Sequence, residues 1–245
     1  ATDVQCSFGT SNAALDADGS RVAYVEYVTA GSDTVARLEV ANTAGSPSPV
    51  LVDSLTVQIG GQFNTIGAIQ APVLSADGNR VAYQVFDNAS SKWKLRVKDL
   101  TGAPASVGPD RELTPASDSG ANGITPRRSS ISTDGTKLAW VRLERVTIPP
   151  LDQFSVPSYR YIGHLYAAGT SDASPAEINP LGADLDNTHF GSSGYSDVVL
   201  SGDGSAVAFT AFTNDGSLTG RQSFRLQLPA ASHNPGLIAE PSLGD

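Results

Sequence analysis

One thirteen-residue phrase is written four times along the chain, and no other feature restricts the fold as strongly. The copies are LDADGSRVAYVEY at 15–27, LSADGNRVAYQVF at 74–86, ISTDGTKLAWVRL at 131–143 and LSGDGSAVAFTAF at 200–212. They align without a gap. Each runs aliphatic, usually Ser, one free position, Asp-Gly, two loose positions, aliphatic, Ala, aromatic. A repeat of this kind makes each unit one supersecondary element that must stack on its neighbour to bury its apolar faces.

Asp-Gly between two apolar runs signals a β-hairpin with a two-residue type I′ turn, in which both central residues take positive φ. Gly19, Gly78, Gly135 and Gly204 can adopt that φ without a Cβ clash. Asp18, Asp77, Asp134 and Asp203, with the Ser before them, can hold the turn by accepting and donating local hydrogen bonds. After the turn, Val22, Tyr24 and Glu26 alternate with Ala23, Val25 and Tyr27 across a strand. Both sets are largely apolar, so this strand is expected between two sheets. Calcium binding by 16–19 is excluded by register: no Glu stands at loop position twelve, and the apolar strand starts within three residues of the Gly.

Further strand-like runs follow each phrase at 35–40, 93–100, 164–168 and 223–228. A fourth run follows each of these, at 50–55, 105–113, 176–181 and 236–239. Four short strands per unit, four times over, is the layout of an all-β propeller with antiparallel four-stranded blades. The expected blades are 13–55, 71–113, 127–181 and 197–240, forming one domain over 1–245. Two alternatives share this pattern: part of a larger ring, or two chains sharing an eight-bladed ring. Residues 4–8 could add a strand that closes the ring on the last blade. No segment reads as a helix.

The core S-x-D-G-x-x-(V/L)-A-(Y/W/F) resembles the WD-like repeat of TolB-type β-propellers, in its longer-spaced bacterial form. The match is good at 75–83, 132–140 and 201–209, and looser at 16–24, where Asp16 replaces the Ser. The resemblance covers nearly the whole chain and implies a propeller fold. Such propellers serve as scaffolds, as lectin-like binders and as non-catalytic gates of peptidases. The resemblance therefore implies a secreted or envelope protein more than it implies an activity.

The formal net charge is −9 over 245 residues. That excludes the basic footprint a nucleic-acid partner requires. The single cysteine, Cys6, rules out an intrachain disulfide and reads as a buried thiol acting as a small hydrophobe. No apolar run reaches the length of a membrane span. A chain without Met that opens Ala1-Thr2-Asp3 reads as a mature end left by signal-peptide removal. The expected location is extracytoplasmic: periplasm, cell surface or medium.

Loop length points to the functional face. In an antiparallel blade the first and third connections lie on one face of the disc, and the second connection and the inter-blade links on the other. The Asp-Gly turns are short. The long excursions are the links 57–70, 114–126 and 181–197 and the third unit's second connection, 144–162, and all fall on the opposite face. Insertions collected on one face of a repeat array mark its binding face. Arg145, Asp152, Phe154, Tyr159, Arg160 and Tyr161 stand in the 144–162 segment, and Asp186, His189 and Tyr195 in the 181–197 link. Aromatics beside planar polar groups suit a protein, peptide or glycan ligand. Trp140 and Trp93 are read as packing residues.

No G-x-S-x-G elbow, P-loop, G-x-G-x-x-G or H-E-x-x-H occurs. The three histidines are His164, His189 and His233. His164 falls at a strand start and His233 on the other face, so neither is expected to meet His189. Asp184, Asp186 and His189 read as a solvated acidic loop rather than as metal ligands. No cofactor and no catalytic residue is assigned, and the expected function is non-enzymatic binding or scaffolding. A secreted propeller lyase or hydrolase, or the non-catalytic propeller part of one, is the alternative. A homodimer is among the expected arrangements.

Overall fold

A computed structural model of the chain describes residues 13–45, 48–57, 69–87, 92–102, 106–113, 125–148, 158–171, 176–178, 195–214, 219–228 and 236–237. The expected lead-in strand at 4–8 lies outside them. Among the described residues there are strands and no helix. The first sheet runs in chain order through β1 (Ala13–Leu15), β2 (Arg21–Ala30), β3 (Asp33–Asn42) and β4 (Val50–Val57). The second holds β5 (Ile69–Leu74), β6 (Arg80–Asp87) and β7 (Lys92–Thr101), followed by β8 (Ser106–Val107) and β9 (Arg111–Glu112). The third is β10 (Thr125–Ile131), β11 (Lys137–Ile148), β12 (Ser158–Gly169) and β13 (Ala176–Ile178). The fourth is β14 (Tyr195–Leu200), β15 (Ala206–Asn214), β16 (Thr219–Gln227) and β17 (Gly236–Leu237). All pairings are antiparallel. Each sheet is a propeller blade.

The second blade departs from the expected four strands. The run 105–113 is broken where the Gly108 N–H donates to the Asp99 carbonyl at 2.9 Å. Its two pieces, β8 and β9, both pair with β7.

The Asp-Gly turn differs from the expected type I′. Only the glycine has positive φ, at 71°, 65°, 68° and 65° for Gly19, Gly78, Gly135 and Gly204. The glycine N–H closes a four-residue turn on the residue three before it, 2.9 Å from Gly78 to the Ser75 carbonyl and 2.9 Å from Gly135 to Ser132. The aspartate stays at negative φ because its carboxylate is engaged. Asp77 Oδ1 accepts from the Ser75 hydroxyl at 2.6 Å and from the Asn79 N–H at 3.0 Å. The Ser75 hydroxyl in turn accepts from the Arg80 N–H at 3.0 Å. Ser132–Asp134 and Ser201–Asp203 repeat the arrangement. In the first blade Asp16 takes the serine's accepting role, with its Oδ1 3.0 Å from the Arg21 N–H.

Successive blades bury three apolar joints. The first joins Ala23, Val25, Leu38 and Val40 of blade one to Leu74, Val81, Tyr83 and Val85 of blade two. The second joins Ala82, Leu95 and Val97 to Leu138, Trp140 and Tyr166. The third joins Ala139, Val141 and Leu165 to Leu200, Val207, Phe209 and Phe224. The phrase thus divides its labour by the pleat. Its aliphatic and aromatic positions face the preceding blade, and the Ala between them faces the following one. Trp140 is buried as expected and stacks on Tyr166 at 5.3 Å, while Trp93 meets Phe86 edge-on at 5.6 Å.

β5 packs on the first sheet, β10 on the second and β14 on the third. Among the described residues β1 has no comparable seat on the fourth sheet, so the described parts of the four blades form an open arc.

Candidate functional site

The second strand of every blade starts at the same place in the repeat: β2, β6, β11 and β15 each begin two residues after the phrase glycine. Their lengths therefore compare directly. β11 and β12 have 12 residues each, against 8 in β6, 10 in β2 and 9 in β15. At about 3.3 Å per residue, the third blade's ribbon reaches roughly 13 Å beyond that of the second.

This ribbon corrects the expected loop at 144–162. The ladder continues without a break from Lys137↔Gly169 to Ile148↔Ser158. Its last described pair is Ile148↔Ser158. The segments RVTI and SYRYI on either side are rich in β-branched and aromatic residues, which favour strands. Arg145, Tyr159, Arg160 and Tyr161 therefore stand on strands, with Arg145 opposite Tyr161, Val146 opposite Arg160 and Thr147 opposite Tyr159. Directly opposed residues share a face and successive residues alternate. Arg145, Thr147, Tyr159 and Tyr161 occupy positions on one face of the ribbon, and Val146 and Arg160 on the other.

β10 pairs with β11 only as far as Leu143, and β13 pairs with β12 only over Leu165–Ala167. Among the described residues, the outer part of the ribbon, from Glu144 to Ile148 and from Ser158 to Gly163, has a partner on one side of each strand alone. Tyr195 is the first residue of β14, opposite Ala211, and not a loop residue. Asp152, Phe154, Asp186 and His189 lie outside the described residues, as do Asp184 and His233. His164 is inside β12, opposite Arg142, rather than at a strand start.

Three cations missed by the sequence reading tie the opposite face together. Arg21 Nη1 donates to the Gly78 carbonyl at 2.8 Å, Arg80 Nη1 to the Gly135 carbonyl at 2.6 Å and Lys137 Nζ to the Gly204 carbonyl at 3.1 Å. They fill one loose position of the phrase, and their recurrence there was the available signal. Arg80 also donates to the Thr170 hydroxyl and to Asp99. The turns themselves are linked: the Ala17 N–H donates to the Ala76 carbonyl, Ala76 to Thr133 and Thr133 to Gly202, at 3.1, 3.1 and 2.8 Å.

The carboxylates of this face are pinned. The Ser132 hydroxyl and the Thr136 N–H lower Asp134 to about 2. The Ser205 N–H and the Ser201 hydroxyl do the same for Asp203. Between the first and second blades, Tyr83 donates its hydroxyl to Asp53 at 2.7 Å, and Arg96 joins the same carboxylate at 3.0 Å. Burial and the Asp53 charge push the Tyr83 hydroxyl far above its ordinary range. These networks join blades. Among the described residues no group of three His, Cys, Asp or Glu is placed to hold a metal. No helix there is long and apolar enough to cross a membrane.

Neither a protein-family model nor a curated protein sequence matches the chain. Solved structures do. Acylaminoacyl peptidase from Pyrococcus horikoshii is similar over 95% of this chain and 32% of its own, with 12% identity and a TM-score of 0.56. Dipeptidyl peptidase 4 from Porphyromonas gingivalis is similar over 96% of this chain and 33% of its own, with 14% identity and a TM-score of 0.52. TolB from Acinetobacter baumannii matches over 95% of this chain and 44% of its own, at 16% identity and a TM-score of 0.48. The chain thus spans less than half the length of each of these proteins. At such identities the likeness bears on fold alone. The repeat and the sheets agree on that fold: the chain is built of antiparallel β-propeller blades.

Proposed function

We propose that the chain is a non-enzymatic binding module whose third-blade ribbon takes an extended peptide segment of a partner protein. The observation that carries this reading is the ribbon's outer half, which projects past the neighbouring blade and presents strands paired on one side only among the described residues. An extended segment can add to such an edge, main-chain hydrogen bonds supplying affinity and alternate side chains specificity. Arg145, Tyr159 and Tyr161 occupy one face beside that edge, where aromatic and Arg residues make effective contacts. Arg160 on its other face, Tyr195 at the start of β14, and Asp152, Phe154, Asp186 and His189, which lie outside the described residues, are assigned to the same surface. The TolB-type repeat supports an extracytoplasmic setting for this binding.

The test replaces 145–161 by Asn-Gly, so that Glu144 and Ile162 flank a two-residue turn suited to a hairpin. Peptides are selected from a random library on the intact chain and then measured on both proteins. Selected peptides should bind the intact chain and lose at least tenfold in affinity on the shortened one, which should keep a cooperative melt. Equal binding to both proteins would refute the reading.

A further inference from the structure

The most exposed bulky apolar side chains among the described residues lie at opposite ends of the arc. Val199 on β14 is 62% exposed and Leu15 on β1 is 59% exposed. We propose that two copies of this chain associate head to tail, the fourth blade of each seated on the first blade of the other, closing an eight-bladed ring through two identical joints.

The repeat itself identifies these ends as two halves of one joint. On the face toward the preceding blade, Leu74 and Leu200 are buried, Val81, Leu138 and Val207 are fully buried, and so nearly are Tyr83, Trp140 and Phe209. Their counterparts in the first blade are Leu15, Val22 and Tyr24, exposed or half-buried. On the face toward the following blade, Ala23, Ala82 and Ala139 are fully buried, and Val73 packs into the second joint. Their counterparts in the fourth blade are Ala208, half-buried, and Val199. One contact between the two ends would cover both sets, whereas a contact of two like ends would leave one set in water.

Polar groups match in the same sense. The chain of turn hydrogen bonds always runs from one blade's N–H to the next blade's carbonyl, and it ends with the Gly202 N–H and begins with the Ala17 carbonyl. Among the described residues no bond joins these two. The fourth blade has Ala206 where the others carry a cation, so it extends no arm to a following glycine carbonyl. The Gly19 carbonyl of the first blade accepts from the Thr43 hydroxyl. A head-to-tail contact of this kind closes when its rotation completes a circle.

Mass is measured by sedimentation velocity at tens of micromolar chain, with reductant present to keep Cys6 from cross-linking. The intact chain should sediment at twice its monomer mass. Leu15→Glu and Val199→Glu change exposed positions, and each alone should sediment as a monomer with an unchanged melt. Mixed in equal amounts they should form a pair, because one retains a sound fourth blade and the other a sound first blade. A monomeric intact chain would overturn the proposal. So would open-ended assembly, a dimer insensitive to Val199→Glu, or failure of the two variants to pair on mixing.

Discussion

The Tyr83 hydroxyl of the second blade donates to Asp53 of the first at 2.7 Å, across the joint between them. Arg96 shares that carboxylate. Asp53→Ala would remove the nearest acceptor of both groups and leave them Asp110, 3.3 Å from the Tyr83 hydroxyl and 3.7 Å from Arg96 Nη1. The change should cost about 1–2 kcal/mol, since both partners keep their desolvation cost with a longer bond. Urea unfolding should show the midpoint falling by that amount. Asp53→Ala combined with Tyr83→Phe should cost less than the sum of the two changes, because they share one interaction.

The phrase glycines should not be equally sensitive. A Cβ on Gly78 would lie 2.8 Å from Asp16 Oδ2 and 2.9 Å from Arg21 Cδ, and one on Gly135 would lie 3.1 Å from Arg80 Cβ and Ser75 Cβ. A Cβ on Gly19 would meet nothing within 4 Å. Gly19→Ala therefore carries only the strain of positive φ, about 1 kcal/mol. Gly78→Ala and Gly135→Ala carry that strain and displace an inter-blade arm, for about 2–3 kcal/mol. Equal melting temperatures for the three variants would contradict the arm geometry.

The arms should rank by their bonds. Arg80 ties blade two to Gly135 and Thr170 of blade three while pairing with Asp99. Lys137 makes one bond of 3.1 Å to blade four. Arg80→Met should destabilise by about 2 kcal/mol and Lys137→Met by less than about 1 kcal/mol. Chemical denaturation of both variants under one condition reads the order.

Acid should act through the turns. Asp134 and Asp203 sit near 2 in the folded chain, against an ordinary value of 3.8. Asp18 and Asp77 are lowered as well. A depressed folded value means that the unfolded chain binds protons first as pH falls. The stabilisation is complete above about pH 4 and is lost as pH drops toward about 2. Melting temperature should fall across that window. Asp134→Asn should reduce the fall, and the gap between variant and parent should shrink toward pH 2.

The four phrases determined the class of fold by themselves. Their apolar positions fall at strand period on both faces, and a strand of that kind has no stable place except between sheets. The positions of Trp140, Tyr83 and Phe209 in the joints were legible for the same reason, because period two assigns a face without any knowledge of the neighbour. The turn type was not legible. Asp-Gly suits a two-residue turn, and only the Ser75 and Asn79 bonds to Asp77 in the folded chain select the longer form. Pairing over twelve residues is a property of two strands together, so Tyr159 and Tyr161 read as loop until a partner strand was in place. Arg21, Arg80 and Lys137 occupy a position that looks unconstrained within one repeat. Their purpose is visible only when the next blade's glycine carbonyl arrives from some sixty residues away. The open ends follow the same rule. Leu15 and Leu74 are identical by sequence, and one is exposed and the other buried because burial depends on which sheet is packed in front.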